Sequence, residues 1–359
     1  MRALAALGLI GAVACGSAYQ SRSGDVFDAH VTRVITTTEQ STLDGLRQLT
    51  QRVEIELDGS LYRGDRVEVG WGGRVPITRN GLLRAGDHVL VSQRRADDGT
   101  REYTIEDVVR LPSLLPVAGA AIIALLAVAR LKGLASIAGL AVSVAAFLLA
   151  VVPAIQRGED PLIATLIGSA VVLAVTVYLV HGFNRKSTAA LAGTTVGLAV
   201  VAGLGWLGIA LSRITGLGDE ESVFLAVGTG FSIDMTKLVL AGIIVASLGA
   251  LVDMAIGQAS TTFELAGVDP SLRGRALYSS ALNVGRDHVG SLVNTLALAY
   301  FGGALPLVLL LSLGNAPLVV ALNGETIAVS LLGVLAATCG LVIAVPVTTA
   351  AAVALVRSR

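Results

Sequence analysis

The sequence predicts a polytopic α-helical membrane bundle of seven to eight transmembrane helices, carrying a small extracytoplasmic β-barrel-like domain. Three observations carry this reading. Hydrophobic residues fill 54% of the 359 positions and charged residues only 14%, where soluble globular chains hold about 25% charged residues. The charges crowd forward: residues 1–113 contain 14 of the 26 Lys and Arg and 15 of the 26 Asp and Glu. Behind them, apolar stretches follow one another to the C-terminus.

The first segment, 1–18, opens with Met1-Arg2 and continues through a short apolar run rich in small residues. It fits a cleaved signal peptide with Ala12-Val13-Ala14 at the cleavage site, a lipoprotein signal using Cys15, or an uncleaved anchor helix. Each alternative sends residue 19 onward across the membrane.

Residues 25–110 read as an open β barrel of five or six strands. Apolar and charged residues alternate in Arg52-Val53-Glu54-Ile55-Glu56-Leu57 and again in Arg66-Val67-Glu68-Val69, the period of a half-buried strand. Two similar phrases, 62–67 and 84–89, place Gly64-Asp65 and Gly86-Asp87 just before a strand. Gly takes the left-handed φ of such a turn and Asp bonds its backbone, so both pairs are structural.

From 114 to 356 the chain is expected to cross the bilayer. Apolar runs cover 114–131, 133–154, 161–182, 188–212, 236–257, 289–313 and 326–356, each long enough for a hydrocarbon core of about 30 Å. With residues 1–18 as an anchor the count becomes eight. The 41 Gly residues favour close helix approach, Gly193-xxx-Gly197 being one such spacing. Short-loop charge sets the orientation. Arg130, Lys132, Arg185, Lys186, Arg273, Arg275, Arg286, Arg357 and Arg359 fall on one side, against Arg157, Arg213 and Lys237 on the other. The basic side is expected to be cytoplasmic, leaving residues 19–113 outside and the C-terminus inside.

Ionisable residues are costly in lipid, at least about 2.5–3.5 kcal/mol each near the centre, so the few present are candidate functional groups. Asp253 lies in an apolar helix and is read as an ion or proton site, or as a structural partner of Arg286. Gln258, Glu264, Asn294 and Glu325 would line a route with it. Asn283, Gly285, Arg286, Asp287 and His288 form a polar collar where a helix enters from the cytoplasm, a candidate gate. Asp234 and Lys237, three apart, share a helix face as an outer ion pair. Residues 219–237 read as an interfacial or re-entrant piece.

At the string Gly285-Arg286-Asp287-His288-Val289-Gly290-Ser291-Leu292-Val293-Asn294-Thr295-Leu296 the chain resembles the YibE/F family of bacterial multi-spanning membrane proteins, as it does over 249–265, GALVDMAIGQASTTFEL. The family pattern carries G-R-D followed by M-G-T-M-x-N-T-L. Here His288-Val289 and Ser291-Leu292 stand at its variable points, so a role for His288 is not implied by the family. The resemblance covers the whole layout and implies location and topology without an established activity.

Two functions follow. In the first the protein is a transporter or permease-like protein moving an unidentified small solute or ion through the later helices. In the second it is a membrane scaffold or accessory protein whose β domain binds an envelope partner. A homo-oligomer stays open. An enzyme is not expected, since HExxH and Walker A sequences are absent. Zero net charge and scattered basic residues argue against nucleic acid, while four His and two Cys without ligand spacing argue against a metal. No cofactor is implied.

Overall fold

The computed structural model describes residues 26–41, 47–58, 64–72, 77–96, 99–314 and 317–357. The N-terminal segment 1–18 lies outside them. The chain forms two compact units that divide between Ala129 and Arg130. That is one helix later than the change in composition at 110–114, so the first long helix falls with the sheet.

In the first unit, strands β1 (Val26–Ser41), β2 (Arg47–Leu57), β3 (Arg66–Trp71), β4 (His88–Arg95) and β5 (Arg101–Val108) form one antiparallel sheet in the order β3-β2-β1-β4-β5. The sheet curls until its edge strands β3 and β5 approach. The predicted alternation is what builds the core. Val53, Ile55 and Leu57 are fully buried on β2, and Val31 lies opposite Ile55. Glu54 and Glu56 point the other way, to Arg33 and Arg66 at 3.0 Å each. Exposed pairs of this kind are worth under about 1 kcal/mol, so the burial stabilises the sheet.

Both Gly-Asp turns use glycine as expected, and in the second the aspartate also bonds the turn backbone. Gly64 and Gly86 each adopt φ +93°, which a side chain would strain. The Gly86 amide donates to the Val31 carbonyl at 2.8 Å, and Asp87 Oδ2 accepts from the Arg84 amide at 2.7 Å. One buried polar residue ties the loop before β4 to the sheet. Gln51 Oε1 accepts from the Leu83 amide at 2.7 Å and its Nε2 donates to the Leu83 carbonyl at 3.2 Å. Nearby, the Arg110 guanidinium hydrogen-bonds Asp107 and holds its carboxyl below the usual carboxylate range.

Among the described residues seven helices are long and apolar enough to cross a membrane. They are α1 (Leu111–Arg130), α2 (Gly133–Gln156), α3 (Pro161–His181), α4 (Arg185–Ser212), α6 (Met235–Val268), α7 (Arg275–Leu313) and α9 (Glu325–Arg357). Short helices α5 (Glu220–Gly228) and α8 (Leu318–Asn323) lie between them. Helical geometry breaks between α1 and α2 at Arg130, whose φ is +52°. A wide turn at Phe147–Val151 precedes Pro153 in α2, where the proline has no amide to continue the ladder.

The second unit is organised around α6, which packs on α3, α4, α7 and α9. Small residues decide how close these helices come. A Cβ on Gly193 would stand 1.7 Å from Thr348 Oγ1, and one on Gly197 3.0 Å from the Gly340 carbonyl. The GxxxG spacing of α4 thus meets Gly340, Ala344 and Thr348, one turn apart on α9.

Two helices exceed their apolar runs. The 34 residues of α6 and 39 of α7 extend about 51 and 58 Å at 1.5 Å per residue. Hydropathy marks only what lipid would cover, while helical hydrogen bonding continues through the polar turns at 258–268 and 275–288. The piece 219–237 is also helical in part: Asp219 caps α5 through the Ser222 amide, and Asp234 caps α6 through the Lys237 amide.

A carboxylate between two histidines

The ten polar positions singled out between 253 and 325 or at the collar do not converge on one route. They separate into three groups and one exposed helix face.

One group holds the ends of α3, α4, α6 and α9 together. Glu325, expected beside Asp253, begins α9 and accepts from the backbone amides of Thr215, Gly216 and Leu217 at 3.1, 2.6 and 3.2 Å. It also takes the Thr215 hydroxyl at 2.9 Å. A carboxylate satisfied by that many donors is a staple for the turn after α4. The Asp234–Lys237 pair is present at 3.7 Å, but Lys237 Nζ lies closer to Asp160, at 2.5 Å. Asp160 caps α3 through the Leu162 and Ile163 amides, so this cation links α6 to the start of α3. The Lys237 hydrogen bond holds the Asp160 carboxyl below its ordinary pKa.

A second group locks three helices in the interior. Gln258 is 2% exposed; its Nε2 donates to the Ala281 carbonyl of α7 at 2.9 Å and to Thr349 Oγ1 of α9 at 2.8 Å. Gly285 makes room for it, since a Cβ there would stand 2.6 Å from Gln258 Oε1. Gln258 and Gly285 therefore fix packing and do not line an opening. Glu264 is also removed from the interior. It lies near the end of α6, exposed, with Lys186 Nζ at 2.7 Å.

The third group contains Asp253. It stands on a face of α6 that protein does not cover, flanked by buried Leu251 and Met254. Arg286, the partner considered for it, instead donates to Asn283 Oδ1 at 3.0 Å. The groups within electrostatic reach of the Asp253 carboxylate are His181 and His288. His181 ends α3, and His288 lies on α7 with its ring beside Gly257, Cε1 3.6 Å from where a Cβ would stand. His288 thus packs on α6 one helical turn from Asp253, and His181 acts on the carboxylate electrostatically from the end of α3. Among the described residues no three His, Cys, Asp or Glu are close enough to hold a metal ion. The chemistry such a set can offer is proton or cation exchange, since a carboxylate and imidazoles can each take up and release a proton.

His181 was not singled out from the sequence, although one of four His at the end of an apolar run was a usable signal. His288, named in the collar as a candidate gate residue, instead packs its ring beside Gly257, one helical turn from Asp253. Asn283, Arg286, Asp287 and Asn294 remain on the exposed face of α7.

The comparison with known families agrees with the string that begins at Gly285. No curated protein and no solved structure matches the chain. The family described as YibE/F-like protein matches residues 117–358, which include six of the seven long helices in full and most of the first. With two thirds of its length so matched, the chain belongs to the YibE/F-like family.

Proposed function

We propose that the protein is a multi-pass cell-membrane transporter in which Asp253, His181 and His288 bind and release the coupling proton. Residues 19–113 face outward and the C-terminus faces the cytoplasm, as the loop charges require. The single observation supporting transport is that Asp253 stands uncovered on an apolar helix, with the charges of His181 and His288 on two other apolar helices acting on it. An aspartate uncovered by protein in lipid is costly, and an adjacent proton carrier supplies a reason for its presence. Asp253 lies 16 residues beyond Lys237 on α6, about 24 Å along the helix. That places it in the inner part of a core of about 30 Å, within reach of cytoplasmic water.

The transported species is a small solute or ion that a deletion strain would reveal. Such a strain is profiled against ions, antibiotics and peptides, then complemented with Asp253→Asn and with His181→Gln. Transport through this site predicts that wild type restores growth and that Asp253→Asn does not, at equal protein level in the membrane. Equal restoration by Asp253→Asn would remove the site.

A second reading rests on a different observation. Glu325 and Gln258, both expected on the route, are spent on helix packing, as in a scaffold whose working part is the β domain. Deleting residues 25–110 separates the two: loss of function with Asp253→Asn still active supports the scaffold.

A further inference from the structure

We propose that the uncovered face of α7 is a self-association surface on which a second copy of this chain packs its own α7. Helix α7 is the least covered of the later long helices. Of its 39 residues only Leu277, Ala281 and Gly285 are buried, all on one side and all before its midpoint. The opposite side exposes Asp287, Gly290 and Asn294, spaced by three and four as in a helix–helix seam. Asp287 and Asn294 make no hydrogen bond or ion pair among the described residues. Asn294 lies nine residues beyond Gly285, inside the apolar part of the helix. An amide there facing lipid lacks the partner that a helix bundle ordinarily gives it.

The seam continues upward into an apolar groove of about 660 Å³ between α7, α8 and α9, lined by Asn294, Leu298, Phe301 and Leu331 among others. A polar stripe that runs into an apolar groove is the profile of a surface made for another helix.

Chemistry selects a second copy as that helix. Between Pro116 and Ala129, α1 offers only Ala, Gly, Val, Ile and Leu, and residues 3–14 are likewise Ala, Gly, Val, Ile and Leu. Neither carries a donor or acceptor side chain to set against Asn294. A copy of α7 related by a twofold axis along the membrane normal carries all that is needed at matching depth. Asn294 faces Asn294, each amide donating to the other, and Arg286 reaches Asp287 of the second copy. Gly290 lets the two backbones approach, and Leu298 and Phe301, which line the groove, continue the contact along the helix. Such an interface is self-complementary, as a twofold contact must be.

The test uses the full chain with Cys15→Ser and Cys339→Ala and one new cysteine at a time, oxidised in native membranes. Gly290→Cys and Ser291→Cys are expected to give covalent dimers, while Leu211→Cys, exposed on α4, is not. Independently, light scattering of the purified protein should report two copies. Asp287→Arg, which sets four cations together, should weaken association roughly tenfold or more, the scale of one membrane-embedded polar contact. Adding Arg286→Asp should restore it. Three outcomes overturn the proposal: a monomeric wild type, dimers from Leu211→Cys as readily as from Gly290→Cys, or an intrachain disulfide between Gly290→Cys and Ala121→Cys.

Discussion

The two units both bury large aliphatic side chains, but only the helical one also relies on small residues for close approach. The sheet buries large side chains: Val53, Ile55, Leu57, Val89 and Val91 are all at 0% exposure, each facing inward by alternation. The helical unit buries large and small ones together: Leu173, Ile244, Leu251, Met254 and Leu341 belong to its main core. Ala189, Ala190, Ala255, Ala259 and Ala352 form a cluster of their own, and Gly193, Gly197 and Gly340 bring α4 and α9 together. Other large residues face outward, Trp206 of α4 being 62% exposed and Leu211 74%. In water, removing apolar area is the driving force, so bulk goes inside. In lipid the surroundings are as apolar as the interior, and close backbone approach with interhelical hydrogen bonds takes over.

That contrast can be broken from either side. The largest effect is expected at Gly193→Leu, because even its Cβ would overlap Thr348 Oγ1 and stand 3.1 Å from the Ala344 carbonyl of α9. The cost should exceed the 1–3 kcal/mol or so of ordinary overpacking. Monodisperse yield after detergent extraction should collapse, and near-normal yield would show that α4 and α9 do not pack as described. The converse change, Ile55→Ala, opens a cavity in the sheet and should cost about 2–5 kcal/mol. Hydrogen exchange should rise across β1, β2 and β3 and stay unchanged in α4 and α9. Protection lost in both units would contradict their separateness.

The smallest effect concerns the Asp160–Lys237 link. The Asp160 carboxyl is held below its ordinary value of 3.8 by the Lys237 hydrogen bond. A depressed folded-state pKa contributes stability that is present above the unfolded value and lost as pH falls through the folded one. Thermal stability of the helical unit should therefore drop below about pH 4, with part of that acid limb absent in Asp160→Asn. An identical acid limb in the variant would mean the link is screened out by solvent.

How much of this was legible follows from the range of each interaction. Strand alternation, the Gly-Asp turns and the apolar runs are local patterns, and all three reappear in the structure. The GxxxG of α4 was visible too, although a chain with 41 Gly gives that spacing little weight until α9 is seen against it. Pairings across 70 to 110 residues were not visible. Glu325 with Gly216, Lys186 with Glu264 and Lys237 with Asp160 each join residues on different elements. Gathering the unusual polar residues by position along the chain placed Glu325 beside Asp253, whereas the bundle carries it to a helix end.

Composition and the order of apolar runs were enough to specify seven long helices behind a small sheet, because solvent preference acts on each segment separately. The partners of Asp253 were another matter. That His181 and His288 stand near it while Arg286 turns to Asn283 depends on how α3 and α7 are rotated about α6. Those rotations are set by which small residues meet, Gly257 against His288 and Gly285 against Gln258, and only the packed structure decides that.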